Sequence, residues 1–295
     1  MRGTCEESSR CLSVPPLNPC REAGRRGCGA WCFVLSKGGI ESNESFAFTN
    51  QTNTYSLCIA SVSGLCISFP QNRDKPRNGS CSLLQNALRF NQRLEQYGSA
   101  VRERLAPDFE RANCPYPPAK LLLVALKKER QLEVWVKAKE GDVYTLLRTY
   151  PIQGLSGKAG PKLAEGDCQV PEGIYGIDWL NPNSGFHLSM HITYPNEFDK
   201  ARAAEDGRAR LGGDIMIHGG RASRGCLAMG DEAAEDLFIL TAQTGLENIE
   251  VILSPVDFRV QDLPEKTDKR TPDWTKELYR MIKLRLLDLN TENIR

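Results

Sequence analysis

The chain is 295 residues long and carries 38 lysines and arginines against 37 aspartates and glutamates, for a net charge of +1. That balance gives no electrostatic case for nucleic acid or for an acidic membrane surface as a partner. A hydrophobic fraction of 40% supports a sizeable core in one large or two modest domains, with no repeat and no stretch long enough to span a bilayer.

Residues 1–80 read as a Cys-rich, disordered N-terminal region. Eight of the 11 cysteines fall within the first 81 residues, and Met1 to Lys37 is rich in Gly, Pro, Ser and Arg with little apolar pattern. Cys28 and Cys32 are spaced C-x3-C, but no second pair or histidine follows at a zinc-site distance, so no metal is expected there. Ser45 to Asn72 holds no charged residue. Within it, near residues 55–70, Leu57 to Ile67 is an apolar run of signal-peptide length, with Ser61 and Ser63 as small residues for cleavage. A signal belongs at the start of a chain, so two readings stay open. Either the upstream residues are a gene-start artefact, or the run is an ordinary hydrophobic patch packed on the domain.

A helical lead-in is expected over residues 81–117. Leu84, Ala87, Leu88, Leu94, Tyr97, Val101 and Leu105 recur at helical intervals, and Pro107 with the Cys114–Pro118 cluster should end the helix. Strands follow. Leu121 to Leu126 is a continuous apolar run suited to a buried strand. Leu132, Val134 and Val136 alternate with polar or amphipathic neighbours, and Val143 to Tyr150 comes after a Glu-Gly-Asp turn. Three strands in close succession point to an antiparallel sheet. Five glycines between 154 and 173 argue for a shaped loop whose spacing does not fit a phosphate cradle. His187, Ser189 and His191 share one face of an expected strand, as the wall of a cleft or as satisfied structural histidines. Lys200 to Arg210 reads as a polar loop.

Ile217 to Cys226 reads IHGGRASRGC. A thiol is a poor nucleophile until it loses its proton, and a nearby imidazole can accept that proton. His218 follows a short apolar strand, Gly213 to Ile217, so it should sit at a strand end facing a turn. The Gly219 carbonyl can hold the imidazole by its other nitrogen, as a carboxylate does in a Ser-His-Asp triad. The amides of Arg224, Gly225 and Cys226 are candidates for an oxyanion hole. Against this stands the ordinary fate of a cysteine, which is more often an apolar filler or half a disulfide. After the motif, Asp231 reads as a helix N-cap and Gly245 as its stop, Ile249 to Leu253 as a buried strand, and Thr271-Pro272 as the start of an amphipathic helix in a C-terminal segment, 258–295.

The motif resembles the signature of YkuD-type L,D-transpeptidases, a His-Gly pair followed by Ser-His-Gly-Cys, a hydrophobic residue and Arg. Here the second half reads Ser223-Arg224-Gly225-Cys226-Leu227-Ala228, and the short histidine-to-cysteine spacing is similar to that of the YafK-like branch. Arg224 replaces the motif histidine and Ala228 the motif arginine, which bears on substrate placement and acceptor choice. Val170 to Tyr175 resembles the family's Pro-x-Gly element, and the resemblance covers residues 118–257. It implies a mainly β (α+β) fold, an antiparallel β-sandwich with flanking helices. It further implies that Cys226 and His218, oriented by Gly219, form a thioester on peptidoglycan stem peptides, with Ser223, His187 and Arg221 contacting substrate. A wall-anchored lipoprotein is a further partner, the location is the periplasm or cell envelope of a bacterium, and no metal or organic cofactor is implied. Two other readings are a hydrolase using the same site and a non-enzymatic wall-binding module. The module predicts a Cys226 inert to alkylation at pH 7, where either enzyme predicts fast labelling that depends on His218.

Overall fold

The protein is described here from a computed structural model, which describes residues 55–58, 66–69, 79–263 and 271–289. The expected disorder over residues 1–37, the Cys28 and Cys32 pair and the middle of the apolar run lie outside the described residues. The ends of that run form β1 (Tyr55–Cys58) and β2 (Cys66–Phe69), an antiparallel pair.

The lead-in helix α1 spans Gly79–Arg111 and runs through Pro107 instead of ending there. A proline inside a helix forfeits one backbone hydrogen bond and crowds the preceding turn. Packing beyond it offsets that cost, because Phe109 is buried and Asp108 binds Arg148 and Arg111. The helix ends at Asn113, in the left-handed region at φ 49°, where Cys114 N donates to Phe109 O and Asn113 N to Glu110 O, both at 3.1 Å. That is the bond pair of a Schellman stop. The buried stripe runs through Ala87, Phe90, Val101 and Leu105, so Phe90 takes the place expected of Leu88, which is 61% exposed. Leu88 follows the buried Ala87 by one residue, about 100° around the helix, and so faces solvent.

Three long strands come next, β3 (Lys120–Leu126), β4 (Gln131–Lys137) and β5 (Thr145–Pro151), followed by the two-residue β6 (Gly154–Leu155). Then come β7 (Gly173–Tyr175), β8 (Ile177–Ser184) and β9 (His187–Ile192). The first half of the expected Lys200–Arg210 loop is instead helical, in α2 (Glu197–Glu205), because Asn196 and Asp199 form a reciprocal capping box at its start. β10 is Met216–His218 and β11 is Leu227–Ala228. The strand expected from Gly213 is shorter at its start, since Asp214 at φ 54° leaves the extended region. Helix α3 (Asp231–Thr244) is capped by Gly230 rather than Asp231, and Gly245 follows its end as expected. β12 (Ile249–Ser254) and α4 (Thr275–Leu287) complete the fold. The residue capping α4 is Trp274, three positions after the expected Thr271.

These strands make two five-stranded sheets, ordered β5-β4-β3-β12-β7 and β6-β11-β10-β9-β8. The α+β class holds, and each sheet adds one parallel pair to its antiparallel ones, β3 with β12 and β10 with β11. The parallel pairing explains why β3 is apolar throughout. Leu121, Leu123 and Ala125 face a core shared with the second sheet, α1 and α3, while Leu122, Val124 and Leu126 face Ile282 and Leu286 of α4. Both faces of the first sheet are therefore dry. In the second sheet, Leu188, Met190 and Ile192 point into the shared core, which leaves Ser189 and His191 on the opposite face, while His187, at φ 72°, breaks the alternation and packs on α1 and α3 through Tyr97 and Glu235.

Candidate active site

His218 ends β10, and the register pairs it with Ala228 on one side and Ser189 on the other. Ile217 pairs with Leu227, so Cys226 comes level with Met216. Cys226 and His218 are thus diagonal neighbours across a parallel pair, held there by strand register and not by the intervening loop. The Cys226 sulfur accepts from Met216 N at 3.4 Å and lies 3.7 Å from the Asp214 carbonyl, to which it donates.

The imidazole is buried and has one defined orientation. Its Nδ1 lies 2.6 Å from the Gly219 carbonyl oxygen. A carbonyl can only accept, so Nδ1 carries the proton and the neutral ring presents a lone pair at Nε2. The Phe186 ring covers it at 4.7 Å between centroids. Burial pushes the His218 pKa below 6.5, with the Gly219 carbonyl opposing. Burial pushes the Cys226 thiol above 9.0, opposed by the Met216 amide. Both directions favour the uncharged forms of the two groups.

Gly219 cannot carry a side chain. A Cβ there would lie 2.7 Å from Asp231 Oδ1 and from the Phe186 carbonyl. The same Asp231 oxygen accepts from Gly220 N at 2.8 Å, and Gly220 turns at φ 68°. Asp231, read from sequence as a helix cap, instead fastens the turn after His218 to the start of α3.

The remaining expected site residues divide. The Gly225 amide, one of three candidate oxyanion donors, is already used, since Ser156 Oγ accepts from it at 2.6 Å. Among the described residues, the amides of Arg224 and Cys226 donate to no protein group. The Ser223 hydroxyl donates to the Cys226 carbonyl at 2.6 Å and so braces the turn. Gly225, at φ 97°, is pressed by the protein's own chain: a Cβ would lie 3.4 Å from the Gln169 carbonyl. His187 is held by Glu235 at 2.9 Å and by the Tyr97 ring, which answers its polarity within the fold. Arg221 is exposed at the rim of a cleft of about 380 Å³ that Tyr150, Gln153, Met229 and Glu232 also line.

The loop between β6 and β7 reaches this site and is knotted from within. Asp167 accepts from the amides of Leu163, Ala164 and Gln169 and from Lys162 Nζ at 2.6 Å. Gln169 binds the backbone of Lys158 and Gly160. At its base, Glu172 is buried and receives Lys127 Nζ at 2.9 Å, Gly160 N at 2.8 Å and Tyr279 OH at 2.8 Å. Ser156, Asp231 and Glu172 carry no signal in their neighbourhoods that marks these contacts. Among the described residues, no three His, Cys, Asp or Glu side chains gather as a metal site requires, and no helix is long and apolar enough to cross a membrane.

Residues 120–252 match the family model of the YkuD L,D-transpeptidase catalytic domain. The chain is 34% identical over 148 residues to a protein of Escherichia coli (strain K12) named "Putative L,D-transpeptidase YafK". The match covers 48% of this chain and 56% of that protein, so the chain spans about half the length of the curated relatives it matches. Among solved structures, the helical cell shape determining protein Pgp2 of Campylobacter jejuni (K307A mutant) is 22% identical with a TM-score of 0.36, covering 56% of this chain and 52% of that one. Bd1075 of Bdellovibrio bacteriovorus is 19% identical with a TM-score of 0.35, covering 57% and 56%.

Proposed function

We propose that the protein performs cysteine-dependent acyl transfer on peptidoglycan stem peptides in the cell envelope, a reading supported by the match of residues 120–252 to the YkuD family model. The observation that carries this reading is the fixed tautomer of His218, which leaves a basic Nε2 on the strand beside Cys226. Cys226 attacks the carbonyl of an L-centre residue joined to a terminal D-alanine. His218 takes the thiol proton as the carbon–sulfur bond forms, and the free amides of Arg224 and Cys226 receive the developing oxyanion. The carbon–nitrogen bond then breaks, and the imidazolium returns the proton to the departing D-alanine amine. An amine of a second stem peptide resolves the thioester and yields an L,D cross-link.

Hydrolysis of the same thioester is a second reading, and Ala228 favours it. This residue stands at the motif arginine's place, is fully buried, and sits against Gly154, so it brings no guanidinium to the acceptor side. Water then replaces the amine, and the enzyme trims stem peptides or releases a wall-bound lipoprotein.

The test is to incubate the full chain and Cys226→Ala with purified tetrapeptide muropeptides and with lipoprotein-bound wall, and to weigh the products. Cross-linked dimers lacking D-alanine are expected for the transpeptidase. Trimmed monomers or freed lipoprotein fragments identify the hydrolase. A product pattern unaffected by Cys226→Ala would overturn both and leave a wall-binding module.

A further inference from the structure

Ser156 stands one residue beyond β6, whose pairing of Leu155 with Leu227 brings it across from Cys226. Its hydroxyl accepts from the Gly225 amide at 2.6 Å and lies 3.2 Å from Ser223 Oγ. Ser223 in turn donates to the Cys226 carbonyl at 2.6 Å. A serine has one hydroxyl proton, and a carbonyl only accepts. The Ser223 proton is therefore committed to Cys226, and the Ser156 proton must point at Ser223. The bonds run in one direction: Gly225 N–H to Ser156, Ser156 to Ser223, Ser223 to the Cys226 carbonyl.

This chain grips the dipeptide that carries the thiol at both ends, its entering amide and its leaving carbonyl. Gly225 is buried and sits at φ 97°, a conformation with little intrinsic preference to hold itself. With the Gly225 amide consumed internally, the amides of Arg224 and Cys226 are the ones left without a protein acceptor.

We infer that Ser156 is a positioning residue for the Cys226 turn: it fixes the peptide geometry that keeps the Arg224 and Cys226 amides aimed outward for an oxyanion. The inference rests on the acyl-transfer reading above, but it concerns the turn and not the identity of the substrate.

The test uses two reactions at Cys226 in the full chain. Acylation by p-nitrophenyl acetate forms a carbon–sulfur bond, breaks the ester carbon–oxygen bond, passes the thiol proton to His218 and expels nitrophenolate. It builds charge on a carbonyl oxygen and so needs the amides. Alkylation by iodoacetamide at pH 9 expels iodide and builds no such charge. Ser156→Ala is expected to slow acylation by about ten- to a hundredfold, the usual worth of a lost buried hydrogen bond, and to leave alkylation unchanged. Ser156→Thr keeps the oxygen and is expected to recover most of the rate. Adding Ser223→Ala to Ser156→Ala should cost little more, because both break one chain.

Acylation of Ser156→Ala at the wild-type rate overturns the inference. So does a change of acylation and alkylation in equal proportion, which marks a turn that has come apart, or a Ser156→Thr no better than alanine. The functional reading fails separately, if the ester acylates wild-type Cys226 while wall peptides give no Cys226-dependent product.

Discussion

The two sheets have similar size and different tasks. The first, β5-β4-β3-β12-β7, is dry on both faces and built on aliphatic side chains from β3, β4 and β12. The second, β6-β11-β10-β9-β8, shares one face with the core and carries His218 and Ser189 on the other, with the loop between β6 and β7 reaching Gly225 through Ser156. The polar groups of the first sheet, such as Glu133, are spent on fixed partners, Arg259 and Trp135, whereas His218 on the second keeps one ring nitrogen without a hydrogen-bond partner among the described residues. The division predicts that stability and chemistry are separable by mutation.

The largest effect is expected at His218. Replacing it with alanine should lower Cys226-dependent acylation by about 10²–10⁴-fold, the range for a general base, with the unfolding midpoint little changed. A comparable loss of stability in a denaturant titration would break the contrast between the sheets. The converse substitution is Leu123→Ala in β3, expected to cost about 2–5 kcal/mol of unfolding free energy while leaving the rate per folded molecule intact. Glu172→Gln should cost about 3–5 kcal/mol, because it leaves the buried Lys127 ammonium without its counter-charge. It should also loosen the loop, readable as faster amide exchange at Gly160.

A smaller effect sharpens the comparison through pH. In the proposed reaction His218 acts as a free base, and burial holds its pKa below 6.5. The acylation rate should therefore persist as pH falls through 6.5 and drop only below that. Phe186→Ala uncovers the ring and should move this acid limb upward, toward the ordinary histidine value; an unmoved limb would show that Phe186 does not keep water from the imidazole. On the alkaline side, iodoacetamide labelling of Cys226 should keep rising above pH 9, as its raised pKa requires. The smallest effect is at the exposed Lys200–Glu197 pair, where Lys200→Ala should change neither stability nor rate measurably.

Much of the first sheet was legible because its pattern is local. Leu121 to Leu126 and the alternation through Val136 announce strands without reference to anything distant. The His218–Gly219 contact was legible for the same reason, since donor and acceptor are adjacent in sequence. Ser156 was not. Its partner Gly225 is 69 residues away, and nothing in a glycine-rich loop says which hydroxyl will arrive beside a given amide. Asp231 looked like a helix cap because caps are usually Asp, Asn, Ser or Thr. A glycine at φ 80° took that post and freed the carboxylate for the His218 turn. The α2 helix was readable from Asn196 and Asp199, three apart, but the polar composition after them argued for a loop. Pro107 misled in the opposite way: local chemistry favoured a stop, and the contacts of Phe109 and Asp108 overrode it.

The second sheet's outer strands have a consequence for how copies of the protein meet one another. One edge, β6, is only two residues long. The other, β8, is interrupted twice in its register and carries Pro182, whose carbonyl is taken by Arg93 of α1 at 3.0 Å. An unpaired, flat strand edge is a template on which a foreign strand can add, and short, bulged or proline-bearing edges are poor templates. The sheet that holds Cys226 therefore resists edge-to-edge aggregation, and crowding should not draw it into fibrous stacks.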